Sequence, residues 1–389
     1  MAQDLSVGID IGSYQTKVVA VEATDNRSLP PIRGTGFAES DGLRQGHVID
    51  STAVTNRAAA AIQQAGESAG QPLSAVNAAI SGASLVGRHS AGSITFDSDQ
   101  HQITERDIKQ VVSVAQEALA DEFSKNHTVL HTFPLAFKVD GSTTMGRPVG
   151  LKGGRLAVRV FFIGSLSQHI YDLVAAIEDA GVTVDNVVAG PLAASEVTVN
   201  DAQKRAGCVL ADIGAETVSL IVFDDNQPVS LNVFSIGSTD ITNDIALGLK
   251  VSLEKAEQIK CGGVTGESGS EDQLADIIDA RLTDIFELIA DHLEKINRKQ
   301  LLPAGIVIAG GGSSLASVEN IARTTLDLPT ETAHIKLPKT KIIHELENPA
   351  WSVSYGTATH GLRNQPSGLL SSVRSSGSTV LSWLQQFLP

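Results

Sequence analysis

Short apolar runs that end in glycine-containing turns dominate the pattern of the chain. The run Leu5–Ile11 predicts a strand that ends in a turn at 12–14, and a second strand follows at 17–22. The same order of strand, Asp-x-Gly turn and strand returns about 200 residues later, at Cys208–Ile213 and 218–223. A repeat at that distance predicts two related α/β domains rather than a solenoid.

Helical periodicity and β-branched runs predict the remaining elements. The predicted helices occupy 51–66, about 104–123, 167–180, 238–248, 252–260 and 272–300, and the further strands 76–80, 93–96, 133–139, 156–163, 229–234 and 306–309. Thr104 and Asp107 have the spacing of a capping box at the start of the helix at 104–123. The segment from 84 to about 163 has short strands around one helix, which predicts a small inserted α/β domain.

Composition and charge narrow the class of protein. The 389 residues are 42% hydrophobic and 19% charged, a globular balance for two or three domains. The net charge of −15 argues against nucleic-acid binding, which needs a basic surface. The two cysteines, Cys208 and Cys261, form no CxxC pair, so neither a disulfide framework nor a zinc site is expected. We also expect no signal peptide, and no spanning helix because no apolar run reaches about 18 residues.

The two Asp-x-Gly turns are the first candidates for chemistry. Each strand end places an aspartate, Asp10 or Asp212, at the rim of a sheet, where open α/β sheets bind ligands. Carboxylate oxygens suit Mg²⁺, directly or through water. The following glycines allow a phosphate to approach backbone N–H groups. The two aspartates are therefore predicted to face each other across one nucleotide, with the phosphates lined by Gly12, Ser13, Gly214 and Thr217. The alternative is that both are ordinary hairpin turns.

A glycine-rich turn follows the apolar strand at 306–309. Gly310, Gly311, Gly312 and Ser313, with a helix predicted to start at 313–314, would form a backbone platform for a flat or anionic ligand. The turn matches neither the Rossmann fingerprint nor a Walker A loop, which requires Gly-Lys-Ser/Thr. Such turns are common, so this one alone is a weak signal.

Taken in order, these motifs resemble the actin-like ATPase superfamily. The segments at 7–13, 210–214, 306–312 and 355–358 look like its phosphate-1, phosphate-2, adenosine and connecting motifs. The segment 256–260 looks like the helix whose Glu and Lys hold the ribose and adenine. The alternative is that Glu257 and Lys260 form only a surface pair. The resemblance implies an α/β actin-like fold that binds ATP with Mg²⁺, with Asp10 and Asp212 at the metal. Nucleotide contacts are then expected from Gly12, Ser13, Tyr14, Lys17, Asp212, Gly214, Ala215, Glu216, Thr217, Glu257, Lys260, Gly310, Gly311, Gly312 and Ser313.

Within the superfamily the chain is most similar to the FtsA family of bacterial cell-division proteins. The similar segments are 42–50, 79–82, 129–134, 148–153, 180–185 and 237–246. The resemblance implies self-association into protofilaments, binding of the C-terminal tail of FtsZ, contact with further division proteins, and a place on the cytoplasmic face of the membrane at the division site. Arg281, on the predicted helix at 272–300, is a candidate partner for a carboxylate of that tail; otherwise it is a solvated helix charge.

The resemblance also implies a domain plan. The first actin-like domain would comprise 1–82, 164–205 and 355–363, and the inserted subdomain 83–163. The second would comprise 206–239 and 300–354, with a helical subdomain at 240–299 that closes the cleft. A flexible linker at 364–377, rich in Ser, Gly and Pro, would lead to a terminal helix at 378–389.

The terminal segment has the pattern of a short amphipathic helix. Apolar residues fall at i, i+1, i+3, i+4, i+7 and i+8, which places on one face Val380, Leu381, Trp383, Leu384, Phe387 and Leu388. About 11 residues give roughly 16 Å, too short to span a bilayer but suited to its interface. The polar face has no Lys or Arg, so attraction to anionic lipid should be small. A helix docked on the protein's own core is the alternative.

Two departures from the superfamily pattern favour a nucleotide switch or a slow ATPase. Ala215 and Glu216 replace glycines that are common in the phosphate-2 motif, and their side chains could crowd the phosphates. Gly190 stands where hydrolytic relatives carry a glutamate that orients water, and loss of such a base typically costs about 10²–10⁴ in rate.

Two other functions remain open at this point. One is an adaptor of type IV pilus assembly similar to PilM, a family that shares the insert but typically lacks the linker and the terminal helix. The other is a sugar or acetate kinase of the same superfamily, which would need a catalytic acid in the cleft.

Overall fold

The computed structural model describes residues 5–23, 29–119, 121–262, 271–335 and 347–363. In its first half the elements are β1 (Leu5–Ile11), β2 (Gln15–Glu22), β3 (Ile32–Glu39), β4 (Leu43–Arg44), β5 (His47–Val48), α1 (Ser51–Ala69), β6 (Ala75–Ile80), β7 (Val86–Thr95), α2 (Glu105–Glu117), α3 (Asp121–Asn126), β8 (His127–Val139), β9 (Ser142–Thr143), β10 (Arg155–Leu166), α4 (Ser167–Asp179), β11 (Thr183–Ala189), α5 (Gly190–Thr198) and α6 (Asp201–Ala206). The second half contains β12 (Cys208–Ile213), β13 (Val218–Asp224), β14 (Gln227–Phe234), α7 (Ser238–Leu249), α8 (Leu253–Lys260), α9 (Glu271–Lys295), β15 (Ile306–Ala309), α10 (Val318–Leu326), β16 (Thr330–Thr332) and α11 (Ser352–Arg363).

Two five-stranded sheets share one topology. The first has the order β11-β6-β1-β2-β3 and the second the order β16-β15-β12-β13-β14. In each, the central strand pairs antiparallel with the next strand of the chain and parallel with a strand that arrives after a crossover. The central strand β12 is almost wholly buried, and β1 is buried at four of its seven residues, as expected for strands covered on both faces. The sequence repeat is therefore a repeat of structure.

The insert is a four-stranded antiparallel sheet with the order β7-β10-β8-β9, and α2 packs against β7 and β10. Its strand β7 was predicted only at 93–96, but it begins at Val86. The missed part contains the exposed Arg88 and His89 and lacks an apolar pattern; its ten-residue pairing with β10 holds it as a strand. The helix predicted to reach 123 ends at Glu117, and a short second helix follows.

The helical subdomain consists of α7, α8 and α9, which pack on the second sheet through a shared apolar core. The helix predicted at 272–300 ends at Lys295. It ends there because Asn297, two residues further on, adopts left-handed backbone with φ of 55°. No helix within the described ranges is long and apolar enough to cross a membrane.

Helix α11 returns the end of the described chain to the first sheet. It packs against α5, β1 and β2. The approach is close because glycines face it: a Cβ on Gly8 would lie 2.2 Å from the carbonyl oxygen of Ser354. This packing holds the first strand, and the turn at its end, against the interior of the molecule.

Candidate nucleotide-binding cleft

The two Asp-x-Gly turns have the same backbone geometry. The N–H of Gly12 donates to the carbonyl of Gln15 at 3.3 Å, and the N–H of Gly214 donates to the carbonyl of Thr217 at 2.9 Å. Each turn joins two antiparallel strands, and each follows the central strand of its sheet. Both turns are therefore hairpins in their backbone geometry, and the feature that the two share beyond this is the aspartate two residues before each glycine.

Asp10, Asp212 and Lys17 converge between the sheets. Lys17 lies opposite Asp10 in the β1–β2 register, and its Nζ lies 6.0 Å from the ring centroid of Trp351. Burial raises the pKa of Asp10 to about 6, partly offset by Lys17. Burial and the charge of Asp10 raise the pKa of Asp212 to about 7. Burial lowers the pKa of Lys17. The two carboxyl groups therefore lie close enough to repel, with one ammonium group between domains to offset them.

This arrangement fits a hydrated Mg²⁺ bound with a nucleotide. No group of three or more His, Cys, Asp or Glu side chains able to hold a metal occurs among the residues that the structure describes. The cleft thus offers two carboxylates rather than a complete cage. Mg²⁺ is typically held by one or two carboxylates, with waters and phosphates as its other ligands.

The turn at 214–217, called here the phosphate-2 loop, is held in place by hydrogen bonds from the N-terminus of α7. The N–H groups of Ser238 and Thr239 donate to the carbonyls of Gly214 and Ala215 at 2.9 and 2.8 Å. A Cβ on Gly237 would lie 2.3 Å from the Ala215 oxygen, so this contact requires glycine. The Glu216 carboxylate accepts a hydrogen bond from the N–H of Gln45 at 2.5 Å. It is therefore directed to the first domain, and the nucleotide contact predicted for Glu216 stays a prediction.

Glu257 and Lys260 lie together on α8. Their side chains form an ion pair at 2.7 Å, and the Thr242 hydroxyl donates to Glu257 at 2.6 Å. Lys260 also donates to the Ser238 carbonyl at 3.1 Å and to the Thr242 oxygen at 2.8 Å. Lys260 is thus mostly satisfied by the protein, and a ribose or adenine would have to share its hydrogens.

Tyr14 brings the phosphate-1 turn toward α8. The ring is 55% exposed. Burial and the charges of Glu257, Cys261 and Glu39 raise the pKa of Tyr14, so its hydroxyl lies near the end of α8. The residues predicted from three separate motifs therefore line one region between the two halves of the molecule.

The glycine turn after β15 differs in part from its prediction. Gly310 has φ of 82°, and a Cβ there would lie 2.3 Å from Oδ1 of Asp212. Gly311 is exposed, whereas Gly312 and Ser313 are buried, and the Ser313 hydroxyl donates to the Gly310 carbonyl at 2.7 Å. The predicted helix start at 313–314 is wrong: Gly311–Ser314 is a 3-10 turn, and α10 begins at Val318. Residues 315–317 separate the two, and Leu315 has extended backbone.

Gly190 is the first residue of α5 and is buried. A Cβ built on it would lie 2.1 Å from the Ser81 hydroxyl oxygen. A side chain at this position, such as the carboxylate that hydrolytic relatives carry there, would meet the Ser81 hydroxyl and would require it to rotate away.

Three cleft residues were missed by sequence reasoning. Trp351, against Lys17, belongs to no motif, and Gln45 contributes only its backbone. Gln45 does lie in the segment 42–50, and Thr242 in the segment 237–246, that resemble the family, which was the available signal for both.

Arg281 is engaged within its own subdomain. It forms two hydrogen bonds with Asp244, at 2.7 and 3.1 Å, and lies 3.2 Å from Asp284. Binding of an external carboxylate would have to compete with these acids. The residues predicted to contact the membrane, at 380–388, lie outside the described part of the chain.

The duplicated sheets, the two facing turns and the insert define an actin-like ATPase fold. A solved PilM–PilN type IV pilus biogenesis complex is similar over 93% of this chain and 99% of that chain, with a TM-score of 0.69 and 19% identity. At that identity the likeness shows the fold alone.

The sequence comparisons identify the family. A model of cell division protein FtsA matches residues 209–356, and one of the SHS2 domain inserted in FtsA matches 82–163. Cell division protein FtsA of Streptococcus pneumoniae is 30% identical over 81% of this chain and 72% of its own length. That of Borreliella burgdorferi is 29% identical over 96% of this chain and 95% of its own length. The chain belongs to the FtsA family of cell division proteins, which sets aside the pilus and kinase alternatives.

Proposed function

We propose that the cleft binds ATP with Mg²⁺. The observation that carries this is the convergence of Asp10, Asp212 and Lys17 at the ends of two equivalent strand–turn–strand units. The N–H groups of the turns at 12–14 and 214–217 would bind phosphate, and the two aspartates would hold the hydrated ion. The bound Mg²⁺ would neutralise phosphate charge. Glu257 and Lys260 would contact the ribose and adenine, with Gly311 on the opposite side.

The chain acts as a nucleotide switch or at most a slow ATPase. Gly190 supplies no base, and the adjoining Ser81 hydroxyl occupies the space that a side chain would need. A missing positioned base typically costs about 10²–10⁴ in rate. We expect bound ATP to close the cleft and favour self-association into protofilaments.

In cell division, the role supported by the family, the protein would connect filaments to a membrane. Its helical subdomain would bind the C-terminal tail of FtsZ, with Arg281 exchanging an internal carboxylate for one of the tail. The terminal helix would lie in the inner face of the cytoplasmic membrane at the division site. Further division proteins would join the polymer.

Vesicle co-sedimentation tests the membrane part. The full chain with ATP and Mg²⁺ should pellet with phosphatidylcholine vesicles, and a chain truncated after Asn364 should not. Leu384→Glu and Gln385→Glu add the same charge to neighbouring positions, one on the apolar face and one on the polar face. Leu384→Glu should weaken vesicle binding at least about tenfold, because it removes a leucine that the proposed helix would place in the apolar part of the bilayer. Equal pelleting of all four proteins would rule out the terminal helix as the anchor.

A further inference from the structure

One hydrogen bond connects the phosphate-2 loop directly to the first domain. Oε2 of Glu216 accepts from the backbone N–H of Gln45 at 2.5 Å, between residues 171 positions apart in the chain. Gln45 lies in the turn between β4 and β5 with φ of 51°. The carboxylate comes from the loop proposed to bind phosphate, at a position where the superfamily motif is commonly glycine. No glycine could make this contact.

The same residue, through its carbonyl group, also contacts the start of the insert. The carbonyl of Gln45 accepts from the N–H of Ala83 at 3.1 Å. A Cβ on Gly46 would lie 2.7 Å from Cα of Gly82, and one on Gly82 would lie 2.6 Å from the Gln45 oxygen. The turn and the residues before β7 therefore pack backbone against backbone. A displacement of Gln45 has no flexible side chain to absorb it before it reaches residue 83.

The insert also contacts the second domain on its own account. A ring nitrogen of His89 in β7 lies 2.9 Å from the carbonyl oxygen of Val229 in β14. A Cβ on Gly87 would lie 3.0 Å from the Leu231 oxygen. Since β7 begins three residues after Ala83, this part of the insert contacts both domains: Ala83 contacts the first domain at Gln45, and His89 contacts the second at Val229. Relative motion of the domains must change at least one of them.

We propose that Glu216 is a positioning residue that transmits the state of the phosphate-2 loop, through Gln45 and Ala83, to the orientation of the inserted subdomain. The proposal rests on nucleotide binding in the cleft. With the loop ordered on phosphate, Glu216 stays on Gln45 and the insert is held against β14. Without bound phosphate, the hydrogen bond between Glu216 and Gln45 opens and β7 is no longer held against β14. By linkage, contacts that order the insert also favour nucleotide binding.

Hydrogen exchange by mass spectrometry tests this directly. Nucleotide binding of each protein is first measured with a fluorescent ATP analogue, and exchange is then followed at saturating ATP and Mg²⁺, so that differences in affinity do not enter. The variants are Glu216→Ala, which removes the acceptor, and Glu216→Gln, whose amide oxygen can accept the same N–H. Glu254→Ala, an exposed acid on α8, is the control for loss of one charge.

In the unaltered protein and in Glu254→Ala, ATP should slow exchange across 43–48 and 83–95. In Glu216→Ala, saturated with ATP at the concentration that its own measured affinity requires, this protection should fall severalfold, and Glu216→Gln should restore most of it. Protection in Glu216→Ala equal to that of the unaltered protein would overturn the proposal. Failure of the unaltered protein to bind the analogue would instead overturn the proposed function, and that result appears in the first measurement.

Discussion

His131 is a buried base within the first half of the molecule. Its Nε2 atom accepts a hydrogen bond from the N–H of Ala189 at 3.0 Å, directly before α5. Burial and the neighbouring His360 lower the pKa of His131 to about 3. The folded protein therefore holds it neutral at pH values where the unfolded chain, with a pKa of about 6.5, takes up a proton. Stability from this group is fully present above pH 6.5 and is lost as the pH falls toward 3.

We predict that His131→Gln reduces the acid sensitivity of the fold. Glutamine keeps an acceptor near the Nε2 position but does not titrate. The variant should lose roughly 2 kcal/mol less than the unaltered protein between pH 6.5 and pH 5, measured by urea unfolding at each pH. His334→Gln, at an exposed histidine, controls for the type of substitution. Parallel curves for His131→Gln and the unaltered protein would contradict the assignment.

Substitution of two helical glycines, Gly356 and Gly248, can distinguish the effect of close packing from that of helix propensity. A Cβ on Gly356 in α11 would lie 2.0 Å from the backbone oxygen of Ala193, whereas one on Gly248 in α7 would meet only the end of the Ile277 side chain, at 2.5 Å. Alanine gains about 1 kcal/mol of propensity over glycine at either site. Gly356→Ala should nevertheless destabilise by about 2 kcal/mol, since backbone cannot move aside as a side chain can. Gly248→Ala should be neutral or stabilising. Equal changes in melting temperature would refute the close approach of α11 and α5.

Site residues that belong to a local sequence motif could be predicted from the sequence. Residues that reach the site only through tertiary contacts could not. Asp10 and Asp212 were found because an acid at a strand end before glycine is a local pattern. Trp351 and the N–H of Gln45 join the cleft only through tertiary contacts that no local pattern encodes. Gly312 and Ser313 were predicted as contacts because they adjoin Gly310 and Gly311, but the 3-10 turn buries them.

At the scale of elements, the start of α2 was predicted more accurately than its end. The Thr104–Asp107 capping box is present: the Asp107 carboxylate accepts from the N–H of Thr104 at 2.8 Å. Caps at N-termini use side chains and leave a signal in the sequence. The ends of α2 and α9 carry no such side-chain signal: the residue that follows α2, Ala118, keeps a right-handed backbone, and the chain after α9 turns through Asn297 with φ of 55°.

We predict that Thr104→Ala destabilises the insert by about 1 kcal/mol, because it removes the cap of α2. Thr104→Ser retains the hydroxyl and should cost much less. Exchange of the amides in the first turn of α2 is the direct readout, and it should accelerate in the alanine variant alone. Similar exchange in both variants would show that packing against β7 and β10, rather than the cap, holds this end.

At the scale of the molecule, the duplicated topology was predictable because each domain repeats a short local pattern. The contacts between domains were not. The pairing of Glu216 with Gln45 joins residues that have no relation in sequence, and β7 touches β14 through residues with no apolar pattern. The strand order of each sheet follows from local rules, whereas the position of the insert follows from packing of whole domains.

The two aspartates of the cleft are expected to favour ligand binding but to lower the stability of the ligand-free protein, and a single substitution can test this. Asp10 and Asp212 are both acidic and close, and the pKa of Asp212 is raised to about 7 by burial and by Asp10. A raised carboxyl pKa means that stability falls as the pH rises from about 4, the unfolded value, through 7. At pH 8 the full cost of ionising this group is present in the ligand-free protein.

Asp212→Asn should therefore raise the stability of the ligand-free protein at pH 8, by at least about 1 kcal/mol, while it weakens binding of Mg²⁺ and ATP. Thermal unfolding with and without 1 mM-scale MgATP measures both effects, because a ligand that binds only the folded state raises stability by RT ln(1 + [L]/Kd). MgATP should raise the stability of the unaltered protein more than that of the variant. The difference in stability between the two proteins should therefore become smaller or change sign. Asp276→Asn, on α9, should change neither quantity. The prediction would be wrong if Asp212→Asn were less stable than the unaltered protein without ligand, or if MgATP stabilised both proteins equally. Either result would show that Asp212 is not a carboxylate that Asp10 repels and that Mg²⁺ neutralises.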